Sequence, residues 1–189
     1  MKGSRTMYLD GIGPVLLEKS SRARRITMTV RPQLGIRVAV PQRVSYEEAA
    51  DFVRYKRDWL KKTLETIAKN RERQRPLGEK FAAMDKKTVK TALCERLREL
   101  AREHSFIYHG VTIRNQKTRW GSCSYRNTIS LNAKLAILPP DLRDYVILHE
   151  LAHTRVHNHS AAFWRELEKH VPGAKRQAAR LKEYDLKLL

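Results

Sequence analysis

Over residues 8–42 apolar and polar positions alternate in short bursts. Val15-Leu-Leu-Glu-Lys19, Ile26-Thr-Met-Thr-Val30 and Ile36-Arg-Val-Ala-Val40 carry β-branched residues in partial alternation and predict strands. Gly11, Gly13, Pro14, Pro32 and Gly35 punctuate them as turns, and Pro41 stops the last one. The period then changes. Ser45-Tyr-Glu-Glu48 has the spacing of a capping box, and Ala49, Phe52, Val53, Trp59, Leu60, Leu64 and Ile67 hold a helical stripe as far as Ala68. Trp59 is expected in the core with the rest of that stripe. Residues 70–78, basic and ended by Pro76 and Gly78, read as a linker between an N-terminal layer and the remainder.

A second helical stripe, Val89, Leu93, Leu97, Leu100 and Ala101, predicts a helix over residues 86–104. Val111–Arg114 reads as a strand. Thr118–Ser124 and Thr128–Asn132 read as a hairpin that turns at Tyr125–Asn127. Pro139-Pro140-Asp141 opens a helix whose residues Val146, Ile147, Leu148, Leu151 and Ala152 are apolar nearly all round, so it should be buried. Ser160 is placed to cap a helix over 161–170, which Val171-Pro172-Gly173 ends, and a basic helix over 174–187 closes the chain. Strands followed by helices and a short second set of strands predict an α+β fold. Residues 1–78 form an N-terminal β-strand layer with its long helix and 79–189 a second region, the two expected as one compact unit.

Composition narrows the class. A chain of 189 residues with 41% hydrophobic residues can bury a core, and two cysteines, Cys94 and Cys123, make no disulfide framework. No segment has the length of a membrane span or the apolar run of a signal peptide, so a cytoplasmic protein without membrane contact is expected. The formal net charge of +19 adds a partner class. It implies affinity for polyanions, nucleic acid among them, through the arginine-rich strands (Arg22, Arg24, Arg25, Arg31, Arg37, Arg43).

The chemistry concentrates in Tyr145–Ser160, which contains His149-Glu150-Leu-Ala-His153 followed by His157 and His159. Residues four apart share a helix face, so the imidazoles of His149 and His153 can occupy adjacent corners of a tetrahedral zinc site. Glu150, about 100° further round the helix, lies beside that site and can act as general base toward a zinc-bound water. Burial in the apolar helix should raise its pKa toward a useful range. On a continuing helix His157 would stand roughly 12 Å from His149, too far for one ion with bonds near ~2 Å. The third ligand therefore comes from chain that has left the helix. His159 suits this if the helix ends near residues 156–158 with Asn158 as a left-handed turn residue. His157 is the runner-up, and Glu166 or Glu168 more remote. A fourth position left to water is what makes such a zinc catalytic.

Several blocks beyond this motif carry a resemblance: Lys117-Thr-Arg-Trp-Gly-Ser-Cys-Ser124, Ser130-Leu-Asn-Ala-Lys-Leu135, Pro139-Pro140, His149-Glu-Leu-Ala-His153 and Asn158-His-Ser-Ala-Ala-Phe-Trp164. In order and spacing the chain resembles the YgjP-like metallopeptidase family, and in ligand spacing the SprT-like and WLM groups. The resemblance implies a zincin-like fold, one zinc per chain held by His149, His153 and His159, and Glu150 as catalytic residue. It also implies that the strand beside the motif helix walls the cleft. Arg119, Trp120, Ser122 and Asn132, on and around that strand, are candidates for substrate contact or for support of the ligand histidines. Peptide hydrolysis is the expected activity. Arg119 and the basic strands motivate an alternative, pyrophosphate release from a nucleoside triphosphate such as a uridine nucleotide. A nucleic-acid-associated binding protein is the second alternative.

Overall fold

A computed structural model describes residues 3–31 and 34–189. Pro32, read above as part of a turn, lies outside the described residues. The chain divides into two compact units, Met1–Arg73 and Gln74–Leu189.

In the first unit four strands, β1 (Ser4–Leu9), β2 (Gly13–Ser20), β3 (Thr27–Arg31) and β4 (Gly35–Pro41), form a sheet of order β1-β2-β4-β3. The inner pair β2–β4 is parallel and the outer pairs are antiparallel. Val15 and Leu17 of β2 and Ile36, Val38 and Val40 of β4 point to one face and are buried there with Ala49, Val53 and Leu60. This is the period of two that their alternation encodes. On the other face Arg37 pairs with Glu18. β1 was not legible beyond Tyr8, because Ser-Arg-Thr-Met has no run of inward apolar positions.

Helix α1 (Tyr46–Tyr55) starts on the expected capping box. Glu48 N–H donates to Ser45 Oγ at 3.1 Å, and Ser45 N–H donates to the Glu48 carboxylate at 2.7 Å. Hydrogen bonding from the Ser45 backbone N–H, and then from its hydroxyl, holds the Glu48 carboxyl below its usual pKa. The single long helix expected here is in fact two. Lys56 leaves helical geometry (φ −89°, ψ 11°), and α2 runs from Arg57 to Ala82. After that break Leu60 is buried, and Trp59, expected in the core, is 48% exposed.

α2 also corrects the linker expected over 70–78, which is helical through Pro76. Gln74 accounts for part of this. It is 2% exposed, its amide donates to Glu183 O at 3.2 Å, and its carbonyl accepts from Asp185 N at 2.9 Å. Those two bonds fix one turn of α2 within the second unit despite the lost backbone donor at proline.

The second unit builds around α3 (Lys86–Glu103), capped by Asp85, with its predicted stripe buried. Strands β5 (Gly110–Arg114), β6 (Gly121–Cys123) and β7 (Thr128–Asn132) form a sheet of order β5-β7-β6, with β5–β7 parallel and β6–β7 antiparallel. The hairpin turns at Asn127, whose φ of 53° suits asparagine. A 3-10 turn (Ala133–Ile137) leads to α4 (Pro140–Ala152), followed by α5 (Ala161–His170) and α6 (Ala174–Leu181). α4 is the most buried helix, with Leu142, Tyr145, Val146, Ile147, Leu148 and Leu151 in one core with α3, β7 and Phe163. α6 stops at Leu181 rather than reaching Lys187, and Leu186 beyond it folds back into a buried position. The chain is α+β, and in the second unit the His-Glu-x-x-His helix α4 is packed into the core. Among the described residues no helix is long and apolar enough to cross a membrane.

Candidate active site

α4 presents His149 and His153 from its last turn, and His153 is its C-cap. The helix ends earlier than the sequence suggested, and Asn158 is not left-handed. The chain reverses instead through consecutive turn bonds, Thr154 N to Leu151 O at 2.9 Å and Val156 N to Ala152 O at 3.0 Å. Asn158 then closes an Asx turn, its Oδ1 accepting from Ser160 N at 3.2 Å. This returns His159 over the end of α4. His159 Nε2 lies 3.0 Å from His149 Nε2 and 3.2 Å from His153 Nε2.

Three imidazole nitrogens facing one another at this distance repel unless a proton or cation lies among them. Bonds of about 2.0–2.1 Å from a tetrahedral ion place neighbouring nitrogens about 3.3–3.4 Å apart, close to both distances here. His153 is set up for that role: its Nδ1 lies 2.9 Å from Val156 O, so Nδ1 carries the proton and Nε2 a free lone pair. Burial, with His153 and His159 nearby, pushes the His149 pKa down to about 3 and keeps that ring neutral. Burial also lowers the pKa of His153, against the raising effect of its bond to Val156. His149 Nδ1 is a buried nitrogen without a partner in the fold. The donor set fits a divalent transition-metal ion. Among the described residues these are the histidines that converge in this way.

Beneath them lies Phe163, fully buried, stacked on His153 at 4.3 Å between centroids and edge-on to His149 and His159 at 4.8 and 4.9 Å. The Asn-His-Ser-x-x-Phe block holds its own floor: Phe163 lies in the first turn of α5, four residues after His159. In the sequence Phe163 stands out only as part of a motif block, with no role of its own. Its spacing from His159 was the available signal.

Glu150 is 5% exposed, and burial pushes its carboxyl up to about 8, partly opposed by the positive charge of Arg119. Its neighbour is Gly121 in β6, where a Cβ would lie 2.6 Å from both Glu150 Cγ and Oε1. Of the two roles open to Gly121 on sequence, close approach is the one found, since its φ is not positive. The missing side chain lets the edge strand lie directly on the carboxylate. That contact also leaves Cys123 near the same charge, and burial with Glu150 pushes its thiol up to about 11.

The other candidates separate. Arg119 is exposed and is the cation felt by Glu150. Trp120 is half-buried against the core, and Ser122 sits mid-β6 opposite Ser130. Asn132 is 2% exposed, with its amide donating to Gln116 O at 2.8 Å and Arg119 O at 3.0 Å and its Oδ1 accepting from Lys134 N. Asn132 thus clamps the loop that carries Arg119. His157 is exposed and packs on Tyr125 at 4.8 Å, outside the cluster. Glu166 binds Arg155, Lys169 and His170, and Glu168 accepts from the backbone of Gly173 and Ala174. Neither reaches the histidines.

The model of the family described as YgjP-like, metallopeptidase domain, matches residues 24–87 and 67–184. Two solved metallopeptidase zymogens are also similar. Abylysin of Pyrococcus abyssi is 30% identical, over 47% of this chain and 90% of its own, with a TM-score of 0.42. Jannalysin of Methanocaldococcus jannaschii is 25% identical, over 48% of this chain and 91% of its own, with a TM-score of 0.40. No curated protein matches. The family match runs through both units and through every block that carried the resemblance, and the chain belongs to the YgjP-like metallopeptidase family.

Proposed function

We propose that this protein is a zinc-dependent peptidase in which His149, His153 and His159 hold one zinc ion through Nε2 and Glu150 serves as general base. The observation that carries this reading is the approach of three imidazole Nε2 atoms to 3.0–3.2 Å beside a buried carboxylate. Zinc, when bound there, supplies Lewis acidity to water and to a scissile carbonyl. Glu150 takes a proton from the attacking water at its carboxylate and passes it to the departing amine. A carboxyl that burial pushes up is a stronger base than an ordinary glutamate, and Arg119 together with the ion favours its charged form. β6 is an end strand of its sheet and touches Glu150 through Gly121, so an extended peptide paired to its open edge would lie across the base.

The test is hydrolysis of unfolded casein and of a mixed peptide library by the zinc-loaded protein beside its Glu150→Gln variant. Cleavage lost in the variant, which keeps its zinc, supports the proposal. Equal cleavage by both proteins, or none, contradicts it. Arg119, the exposed cation acting on Glu150, favours a second reading as a nucleoside triphosphate hydrolase. Turnover of a nucleotide panel that disappears in Glu150→Gln, without peptide cleavage, would establish that reading instead.

A further inference from the structure

The opposite edge of the β5-β7-β6 sheet carries a second concave surface. A cavity of about 480 Å³ lies between β5, the end of α2 and the start of α3. Its apolar wall includes Met84, Val89 and Ile113, and Lys86, Lys90 and Arg114 stand in its lining without any acidic residue. These three cations are exposed and have no ion-pair partner among the described residues. The nearest acid in sequence, Asp85, is engaged as the α3 cap by Thr88 N and Oγ, both at 2.7 Å. β5 supplies a third feature. It pairs with β7 alone, and among the described residues Val111–Arg114 make no backbone hydrogen bond on the outer side.

An end strand with unpaired main-chain groups, an apolar trough and an uncompensated basic rim together define a partner. We propose that this groove docks an extended segment of another protein in which apolar residues alternate with acidic ones, adding as a strand to β5. Alternate side chains of such a strand would enter the trough at Met84, Val89 and Ile113. The carboxylates between them would meet Lys86, Lys90 and Arg114. An acyl chain with one anionic head would fill the trough but leave the β5 backbone unused, which favours the peptide. β5 and β6 are opposite edges of one sheet, so the occupant leaves the histidine cleft open. The proposal is independent of the reaction assigned to that cleft.

The test uses the full chain and three probes: a fluorescein-labelled nonapeptide alternating valine and glutamate, its serine–glutamate counterpart, and dodecanoate. Anisotropy should show saturable binding of the valine peptide. In the Lys86→Glu/Lys90→Glu/Arg114→Glu variant that binding should weaken by about tenfold or more, since three exposed pairs become repulsions. Hydrogen exchange of the wild-type chain should slow at amides within 111–114 when the peptide is added, a readout that does not depend on how the variant folds. Equal binding of the serine peptide would reduce the effect to attraction toward a chain of net charge +19 and overturn the proposal. Displacement by dodecanoate without protection of β5 would overturn it in favour of an acyl site, and absence of saturable binding would overturn it outright.

Discussion

At the scale of single residues the proposed chemistry turns on Gly121 and Glu150. A methyl group at position 121 would fall 2.6 Å from the carboxylate, well inside contact distance, so Gly121→Ala must move either β6 or the base. A displacement approaching 1 Å of a catalytic group costs about 10²-fold in rate. Gly121→Ala is therefore expected to lose hydrolysis by that order while keeping its metal. Metal content and kcat measured on the same preparation check this, and a variant that lost both together would place Gly121 in the fold rather than in the chemistry. The histidines, by contrast, were legible from spacing alone, because His149 and His153 depend only on helix period. His159 is favoured on the condition that the helix ends before it, with His157 left as runner-up, and the full ligand set is what the family resemblance implies. What spacing could not supply was the return path. Asn158 was expected to turn left-handed and instead closes an Asx turn, a choice made by the hydrogen bond to Ser160 N.

At the scale of elements, α5 is tied to the end of α3 and to the loop after α4 by one ionic cluster. Arg155 donates to Glu166 at 2.5 Å and to the carbonyls of His104 and Ser105, while Glu166 also accepts from Lys169 at 2.7 Å and contacts His170. Lys169 and Arg155, with a smaller part from His170, hold the Glu166 carboxyl at about 2, against an ordinary value of 4.5. A depressed pKa contributes stability above the unfolded value, and that contribution is lost as pH falls from about 4.5 toward 2. Glu166→Gln should thus cost about 1–3 kcal/mol at neutral pH, and the gap to wild type should narrow as pH drops below 4.5. Urea unfolding at neutral pH and at about pH 3 measures it, and a gap that stayed constant would remove the ionic account. Nothing in the sequence announced this cluster, since it joins residues 104, 155, 166 and 170 through tertiary packing. Elements with a local signal fared better. The Ser45–Glu48 box stands where expected, and α5 starts after Ser160 as expected, although the Ser160 side chain makes no capping hydrogen bond. Trp59 and residues 70–78 went the other way. The break at Lys56 and the side-chain bonds of Gln74 overrode a stripe and a proline that point elsewhere when read alone.

For the whole molecule, the charge of +19 acts before any specific contact. The first unit contains a hollow lined by Glu18, Lys19, Ser20, Ser21, Arg22, Arg37 and Gln42, in which Lys19 is committed to the carbonyls of Gln42 and Val44 and Arg37 to Glu18. Such a surface predicts retention on heparin, released by salt, to the same degree in Glu150→Gln as in wild type. Elution at low salt would show that the charge is spread too thinly to hold a polyanion. Function at the centre of the second unit rests on a different premise, that three imidazoles which would otherwise repel are held together for an ion. Metal content of the purified protein, measured by mass spectrometry beside the His149→Ala, His157→Ala and His159→Ala variants, tests it most directly. One equivalent of zinc is expected in wild type and in His157→Ala, with loss from His149→Ala and His159→Ala. Zinc retained in His159→Ala and lost from His157→Ala would contradict the site as described.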